Sequence, residues 1–436
     1  MIAQLYSHFL KNPTVCTDTR DIKPGSIFFA LKGTNFNGNA FAEQALNSGC
    51  SLAVIDEAGY KKDDRYFVVD DVLTALQELA NYHRKQLAIP VIGITGSNGK
   101  TTTKELIHAV LSKKYNTLAT KGNLNNHIGV PLTLLSITKE HEMAIIEMGA
   151  NHQGEIALLC TIAEPNFGII TNIGKAHLEG FGGIEGVKKG KGELFRYIEN
   201  KKGKLFVHAD DENIMELVGN NEKITYGTKK LYDIVGAVIQ QPDSEFISMQ
   251  WSTRYNAATM KNNTIIHTHL VGVYNYYNLL GAVCVGNYFK IDDEKINDAL
   301  ANYIPSNNRS QLHKTENNTL ILDYYNANPT SMTAAIENFS KLNHPNKMVV
   351  LGDMLELGED SLKEHQSIID LLQQKKIETV FLVGAHFIEA GKNSSAKIFQ
   401  TSDEAAAYLK DIQIKNQTVL IKGSRGIKLE NVVAVL

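Results

Sequence analysis

The chain has 436 residues, of which 43% are hydrophobic and 21% are charged. This length and composition are typical of a globular protein with several domains, and they argue against a disordered chain. The net charge of −3 at pH 7 provides no broad basic surface, which argues against a nucleic-acid-binding protein. Anionic ligands would therefore need local sites.

The first residues, MIAQLYSHFLKNP, lack the basic segment and apolar core of a secretory signal. No later apolar run reaches the length that spans a bilayer, so we expect a cytoplasmic protein without membrane insertion. The cysteines lack metal-type spacing, and buried reduced thiols are expected instead of disulfides or a zinc site. They are Cys16, Cys50, Cys160 and Cys284.

Residues 1–87 are expected to form a small α/β domain. Strand-like runs lie at 26–31 and 51–55, on either side of a helix-like segment at 41–48. A helix rich in Ala and Leu is predicted over 72–86, and Pro90 follows it. We therefore place the first domain boundary at 87/88.

From residue 88 to residue 306 the pattern alternates between strand and helix. After a strand that ends near Ile94, the predicted elements are a helix at 101–113, a strand at 143–148, a helix at 153–163 and a strand at 167–173. Such alternation predicts a mostly parallel sheet covered on both faces, with ligands at the carboxyl ends of its strands.

Residues 307–436 repeat the alternation and predict a Rossmann-like third domain. Its predicted strands lie at 319–323, 347–351, 379–383 and 418–421, and helices are predicted at 331–342 and 360–375. The predicted fold class is therefore α/β with three domains.

A phosphate cradle is predicted at TGSNGKTT, because this segment follows an apolar strand and precedes a helix. Its glycines let backbone N–H groups approach phosphate oxygens, Lys100 can reach the outer phosphates, and the Thr101 hydroxyl can bind Mg²⁺. A standard P-loop has glycine where this chain has Ile94, so the motif differs in sequence from the P-loop of common GTPases. The cradle residues are Gly96, Ser97, Asn98, Gly99, Lys100, Thr101 and Thr102.

Two further residues are predicted at the same edge of the sheet. Glu147 ends an apolar strand, where a metal beside the phosphates could use its carboxylate. His177 follows the next strand in the chain. A solvated Glu and an isolated loop His are the simpler interpretations of each residue alone, but together they suggest a metal or transfer site.

Two polar segments have simpler explanations when the residues are considered alone. Lys191 lies among lysines and glycines, for which an exposed basic helix face is the favoured interpretation. The amides of Asn123, Asn125 and Asn126 could bind the donors and acceptors of a substrate, although turn formation explains them more simply.

Seven motifs occur in an order that resembles the Mur ligases of bacterial cell-wall synthesis. They are TGSNGKTT, GNLNNHIGVPLTLL, IIEMGANHQGEI, TNIGKAHLEGFG, KGKGELF, YNANPTSM and LGDMLELG. The first motif is shared by a wider superfamily that includes folylpolyglutamate synthetase, whereas GNLNN, YNANPTSM and LGDMLELG are much narrower. The resemblance runs from about Thr17 to the end of the chain.

The resemblance implies a central ATPase domain that uses two Mg²⁺ ions. Thr101 and Glu147 would hold the first ion, and His177 the second. Lys191 matches a lysine that is commonly carbamylated by CO₂, which would place a carboxylate-like group near the second ion. Residues that match ATP contacts of the family are Asn275 and Asn278 near the adenine, Arg309 at the phosphates and Asp323 close to the nucleotide.

The amino-terminal domain resembles a UDP-sugar-binding domain. The implied substrate contacts are Thr19, Arg20, Lys32, Gly33 and Asn39, together with Asn123, Asn125 and Asn126. The chain departs from the family at Tyr274, where His is usual, and at Asn37-Gly38-Asn39, where Asp-Gly-His is frequent.

The implied reaction joins D-alanyl-D-alanine to a UDP-N-acetylmuramoyl tripeptide through an acyl phosphate, releasing ADP and phosphate, for peptidoglycan synthesis, cell shape and cell division. A monomer is the simplest expectation. Two alternatives stay open: another amide ligase of the superfamily, such as the enzyme that adds the third residue or folylpolyglutamate synthetase, and a nucleotide-binding switch protein.

Overall fold

The computed structural model of the chain describes residues 1–239, 241, 244–254 and 264–436. Its main sheets lie in three successive parts of the chain, and their strands alternate with helices. The predicted α/β class with mostly parallel sheets is confirmed. The boundaries predicted at 87/88 and 306/307 fall between these sheets and stay predictions.

The amino-terminal part is a parallel sheet with the order β1-β2-β5-β6 and a small antiparallel hairpin, β3-β4. Asp71 begins the long helix α3, because its side chain accepts a hydrogen bond from Thr74 N at 2.7 Å. The strands are β1 Val15–Cys16, β2 Ile27–Phe29, β3 Lys32–Gly33, β4 Phe36–Asn37, β5 Leu52–Ile55 and β6 Tyr66–Val68; the helices are α1 Ile2–Lys11, α2 Ala42–Asn47 and α3 Val72–Gln86.

The central part contains a large sheet whose strand order within the described residues is β15-β14-β13-β12-β11-β10-β7-β9-β8. It is parallel from β8 to β13 and becomes antiparallel at β14 and β15. The strands are β7 Val91–Thr95, β8 Thr117–Ala119, β9 Met143–Glu147, β10 Phe167–Ile170, β11 Lys204–His208, β12 Glu222–Gly227, β13 Ile234–Ile239, β14 Phe246–Thr253 and β15 Ile266–Val271.

Helices cover both faces of this sheet, and its central strands β7 and β9 are buried along their whole length, as expected of a parallel sheet. The helices are α4 Lys100–Leu111, α5 Gly129–Leu135, α6 Glu155–Ala163, α7 Leu178–Phe181, α8 Ile184–Lys191, α9 Glu193–Asn200, α10 Glu212–Leu217, α11 Tyr276–Tyr288 and α12 Asp293–Ala301.

The carboxy-terminal part has the strand order β16-β17-β21-β18-β19-β20, with only its first pair antiparallel among the described strands. Asn328 and Pro329 begin α13 with a capping box. The strands are β16 Gln311–Lys314, β17 Thr319–Leu322, β18 Lys347–Gly352, β19 Thr379–Val383, β20 Lys397–Phe399 and β21 Thr418–Lys422; the helices are α13 Pro329–Lys341, α14 Ser361–Gln374, α15 Ala385–Ala390, α16 Ser402–Ile412 and α17 Glu430–Val433.

The strand predicted at 167–173 is wrong at its end, because β10 stops at Ile170. The following residues bond to the cradle: Thr171 Oγ1 donates to Asn98 O at 2.5 Å, and Asn172 Nδ2 donates to the same oxygen at 3.0 Å. Side-chain bonds to a neighbouring loop thus replace the strand ladder in this segment.

Two observations bear on the other expectations for the chain. All its cysteines are free thiols, with Cys16 partly exposed and the others buried. Among the described residues, no helix combines the length and the apolar character needed to cross a bilayer.

Candidate active site

A cavity of about 590 Å³ opens at the carboxyl ends of β7, β9 and β10, where the central and carboxy-terminal parts meet. Many of the sequence-predicted site residues line it, which is the position expected for a ligand in an open α/β sheet. These are Ser97, Asn98, Gly99, Lys100, Thr102, Asn123, Asn125, Asn126, Glu147, His177, Asn275, Asn278, Arg309 and Asp323.

The cradle depends on glycine at two positions. Gly99 precedes α4 with φ of +77°, and a Cβ there would lie 2.6 Å from the Asn278 amide oxygen. Gly96 has φ of +144°, and its Cβ would lie 2.0 Å from Thr171 Oγ1. A side chain is therefore excluded at these two positions. Ser97 N and Asn98 N already donate to Asn172, each at 3.0 Å, so the first N–H groups of α4 are the ones that a phosphate could use.

Lys100 is folded back onto the cradle. Its Nζ donates to Gly96 O at 2.7 Å and to Ser97 O at 3.2 Å. Burial, opposed by Glu147 and assisted by a smaller effect of Arg309, lowers the pKa of Lys100 to about 8. A bound polyanion would supply the negative charge that favours the protonated ammonium.

Glu147 is a buried carboxylate at the end of β9, and its side chain is only 1% exposed. Oε1 accepts hydrogen bonds from Thr101 Oγ1 at 3.2 Å and from Asn125 Nδ2 at 2.8 Å. Oε2 has no hydrogen-bond partner among the described residues. A buried carboxylate oxygen that lacks a partner, beside a threonine hydroxyl, fits a divalent cation.

The protein side chains alone do not enclose such a cation. Within the described parts of the chain, no group of three or more His, Cys, Asp or Glu side chains is arranged to hold a metal. A Mg²⁺ ion at Thr101 and Glu147 would therefore need oxygen ligands from a phosphate or from water, which is how this ion is usually bound.

Lys191 is buried, so the exposed basic face favoured from its sequence neighbours is wrong for this residue. Its side chain is 1% exposed, Nζ donates to Ala150 O at 3.0 Å, and Nζ lies 4.8 Å from the centre of the Phe181 ring. Burial, with a smaller contribution from Lys100, holds the pKa of Lys191 well below its ordinary value. The neutral, nucleophilic amine is therefore easier to form than in an exposed lysine.

His177 lies between β10 and α7 with a left-handed φ of +52°. Its Nδ1 contacts Oε2 of Glu356, which belongs to the carboxy-terminal part of the chain. The imidazole thus lines the cavity at the junction of the two parts.

Arg309 and Asp323 line the cavity from the carboxy-terminal part of the chain. The Arg309 guanidinium lies 4.0 Å from the centre of the Tyr325 ring, and its Nε lacks a hydrogen-bond partner among the described residues. Asp323 accepts a bond from Lys422 Nζ at 2.7 Å. Sequence reasoning gave no role to Tyr325 or Lys422, although the end of the predicted strand at 418–421 indicated the position of the lysine.

The amides predicted near the adenine are largely engaged within the protein. Asn275 Nδ2 donates to Val271 O and to Ser310 Oγ, each at 2.9 Å, and Asn278 Nδ2 donates to Asn275 Oδ1 at 2.9 Å.

The cradle is also joined to the carboxy-terminal part, because Asn328 Nδ2 donates to Asn98 Oδ1 at 2.7 Å. This last contact was not anticipated from the sequence.

The loop that carries Asn123, Asn125 and Asn126 has two different local roles. Asn125 bonds to Glu147, whereas Asn126 Oδ1 accepts bonds from Ile128 N at 3.1 Å and Gly129 N at 2.9 Å at the start of α5. Asn123 is exposed on the wall of the cavity. Turn formation therefore accounts for Asn126 and leaves Asn123 accessible to a ligand.

The structure does not bring the amino-terminal candidates into this cavity. Arg20 is exposed and pairs with Asp18, and Lys32 pairs with Asp56 at 2.9 Å beside Gly33 in the β3-β4 hairpin. Asn39 is fully buried, and its Nδ2 donates to Asp56 Oδ1 at 2.7 Å. Thr19 is partly buried.

Comparison with known families assigns all three parts of the chain. Residues 14–91 match the model described as "Mur ligase family, catalytic domain", residues 94–286 match "Mur ligase middle domain", and residues 308–425 match "Mur ligase, glutamate ligase domain".

Known relatives and solved structures match this chain along almost its whole length. UDP-N-acetylmuramoyl-tripeptide–D-alanyl-D-alanine ligases of Bacillus subtilis and Escherichia coli are 35% and 34% identical, covering 99% and 97% of this chain and 96% and 93% of the relatives. A MurF structure from Acinetobacter baumannii is 33% identical with a TM-score of 0.85, covering 97% of this chain and 92% of that one.

A second similar structure has ADP bound. MurF ligase from Thermotoga maritima in complex with ADP is 26% identical with a TM-score of 0.83, covering 97% of this chain and 96% of that one. A Mycobacterium tuberculosis folylpolyglutamate synthase is only 13% identical with a TM-score of 0.63, and therefore shares the fold alone. By its domain matches and its full-length relatives, this chain belongs to the Mur ligase family.

Proposed function

We propose that this chain is an ATP-dependent ligase that joins D-alanyl-D-alanine to a UDP-N-acetylmuramoyl tripeptide and releases ADP and phosphate. The observation that carries the proposal is one cavity in which the cradle, Lys100 and Glu147 face Arg309 and Asp323. Full-length relatives named for this reaction support the choice of substrates.

The charges of the cavity suit the first chemical step. The terminal carboxylate of the tripeptide attacks the γ-phosphorus of ATP, the bond to the β-phosphate oxygen breaks, and ADP leaves. Two anions must approach each other in this step, so the cations at Lys100 and Arg309 lower its barrier if they are already in position. The product is an acyl phosphate.

The second step forms the amide bond. The amino group of D-alanyl-D-alanine attacks the acyl carbon, loses a proton, and displaces inorganic phosphate. Water would hydrolyse the acyl phosphate instead, so a site covered by the carboxy-terminal domain favours synthesis. The contact between Asn98 and Asn328 lies at this junction.

Thr101, Glu147 and His177 would hold Mg²⁺ ions together with the phosphates. When bound, the ions neutralise negative charge on the transferred phosphoryl group. The partnerless Oε2 of Glu147 supports this assignment.

We further propose that Lys191 is carbamylated. Its neutral amine would attack CO₂, forming a C–N bond and releasing a proton, so that the amine is converted into an anionic carbamate. The burial and lowered pKa of Lys191 favour that reaction. The carbamate would then be a further oxygen ligand for the cation near His177.

The amino-terminal domain, residues 1–87, is proposed to bind the UDP portion of the tripeptide substrate. Its exposed Arg20 and Lys32 offer positive charge for a diphosphate, whereas the buried Asn39 supports the loop that carries Lys32. Residues 88–306 and 307–436 are the proposed ATP-binding and Rossmann-like domains. A cytoplasmic monomer remains our expectation.

A ligase assay with a panel of amines tests the proposal. ATP and UDP-N-acetylmuramoyl tripeptide are supplied with D-alanyl-D-alanine, with D-alanine, or with L-glutamate, and products are identified by mass. We expect stoichiometric ADP and ligated product only with D-alanyl-D-alanine. ATP hydrolysis that does not depend on any amine would favour a nucleotide switch, and a ligated product with D-alanine or L-glutamate would favour another amide ligase of the superfamily.

A further inference from the structure

The LGDMLELG motif identified the family but had no physical role in the reaction described above. It covers the end of β18 and the loop 353–358, which reaches from the carboxy-terminal domain to the central domain. There it meets the segment 174–181, which carries His177.

The loop is held in shape by buried polar groups. Asp353 accepts bonds from His386 N and Phe387 N, each at 2.9 Å, at the start of α15. The fully buried His365 accepts a bond from Met354 N at 3.0 Å, and Ser424 Oγ accepts one from Leu355 N at 3.0 Å. The backbone is therefore held in place from residue 353 to residue 355, immediately before Glu356.

Glu356 adopts a left-handed φ of +64°, which is uncommon for a residue with a side chain. Its carboxylate contacts His177 Nδ1. Two residues further on, a Cβ added to Gly358 would lie 3.2 Å from Glu179 Cβ, so the two loops pack closely.

Neighbouring contacts fix the same junction. Lys175 Nζ pairs with the carboxylate of Glu364 in α14, and Lys175 N donates to Thr330 Oγ1 at 3.0 Å. Glu364 is largely buried. The segment that carries His177 is thus bonded to the carboxy-terminal domain at Lys175 and packed against it at Glu179, one on each side of the imidazole.

We propose that Glu356 is a positioning residue that holds Nδ1 of His177, leaving Nε2 as the nitrogen that can bind a divalent cation. A carboxylate on one imidazole nitrogen commonly fixes the ring and the tautomer of a metal-binding histidine. Because Glu356 belongs to the carboxy-terminal domain, the cation site is complete only when that domain is docked. The inference rests on the proposed role of His177 in cation binding.

Mn²⁺ binding to the full-length protein with ADP, followed by electron paramagnetic resonance, tests this role without relying on activity. Removing the carboxylate in Glu356→Ala should weaken the His177-dependent Mn²⁺ site by roughly 10–100-fold. Glu356→Gln should have a smaller effect, because its amide oxygen still accepts a bond from Nδ1–H. If the Ala variant does not fold, the smaller loss of Mn²⁺ affinity in the Gln variant is measured instead.

Glu359→Ala, which removes an exposed carboxylate immediately after the loop 353–358, is the matched control and should keep wild-type Mn²⁺ affinity. In a His177→Ala background, the further change Glu356→Ala should have no additional effect. If Glu356→Ala keeps wild-type Mn²⁺ affinity while His177→Ala binds Mn²⁺ more weakly, the positioning role of Glu356 is overturned and the cation role of His177 stands. Wild-type affinity in His177→Ala would overturn the proposed cation role of His177 as well.

Discussion

Burial gives Lys191 a chemistry that the other lysines of α8 do not share. Lys189 is exposed and Lys188 pairs with Glu216, whereas Nζ of Lys191 has a backbone carbonyl and an aromatic ring as its neighbours. The sequence alone does not distinguish the buried lysine from the exposed ones, because glycines interrupt the apolar periodicity that would indicate the buried face of the helix. The family resemblance was the signal that identified Lys191.

Lys191→Ala should reduce ligase activity by roughly 10–100-fold, because a proposed cation ligand is lost. A short carboxylic acid such as acetate should restore part of the activity by occupying the space of the carbamate. Lys189→Ala is the matched control and should keep full activity. Steady-state assays with and without bicarbonate and acetate make the comparison, and a fully active Lys191→Ala enzyme would exclude the carbamate role.

Gly99→Ala should weaken ADP binding by at least about tenfold, or ~1.4 kcal/mol. The new Cβ would lie 2.6 Å from the Asn278 side chain at a φ of +77°, which displaces either the cradle or the helix that carries Asn278. Gly182→Ala introduces a similar backbone strain, at a φ of +73°, where nothing lies within 4 Å of the Cβ. Calorimetry should show weaker ADP binding in the first variant only; equal affinities would contradict the steric argument.

Among the elements, helix α3 joins the first domain to the second through a buried histidine. His83 Nε2 lies 2.8 Å from Ile137 O, and Tyr6 OH lies 3.2 Å from its Nδ1. Burial lowers the pKa of His83. Because the unfolded chain binds the proton more readily, the stabilisation from this neutral histidine is complete above about pH 6.5 and is lost as the pH falls below that value.

His83→Gln should therefore reduce the acid sensitivity of the fold. In the wild type, His83 contributes a slope of at most about 1.4 kcal/mol per pH unit below pH 6.5. The glutamine does not titrate and can still donate to the Ile137 carbonyl. Urea unfolding at pH 7.5 and pH 5.5 measures the difference, with His313→Gln on the exposed edge of β16 as the control; equal pH dependence in all three proteins would contradict the assignment.

Elements with strong periodicity were predicted well from the sequence, and elements at sheet edges were not. The helix predicted at 72–86 is observed with the same bounds, because Asp71 begins it and its apolar stripe faces the core. The short edge strands β8 and β16 were missed, since each has few residues and depends on a partner distant in sequence. The early end of β10 depends on bonds between Thr171, Asn172 and the cradle, which no local pattern reveals.

At the scale of the whole molecule, the candidate site is divided between parts of the chain that are far apart in sequence. The cradle and Glu147 could be found from local patterns, because strand ends in a parallel sheet meet at one edge. The partners of Arg309, Asp323 and His177 could not. Tyr325 and Lys422 meet Arg309 and Asp323 through tertiary contacts within the carboxy-terminal part, and Glu356 reaches His177 only through docking of that part on the central one. Domains joined by such polar contacts are expected to move.

We therefore expect a rotation of the carboxy-terminal domain when substrates bind. The hinge is predicted near residues 305–310, where Arg309 leads into β16. Small-angle scattering should report a more compact particle with ATP and UDP-N-acetylmuramoyl tripeptide than without them. Identical scattering profiles in the two conditions would count against this movement.

The central claim is that the cavity makes an acyl phosphate and passes it to an amine. Its most direct test uses tripeptide substrate labelled with ¹⁸O in the terminal carboxylate, together with ATP and D-alanyl-D-alanine. Attack by that carboxylate on the γ-phosphorus predicts that one ¹⁸O atom appears in each inorganic phosphate released with the ligated product. Release of unlabelled phosphate, with ADP formed, would contradict the account.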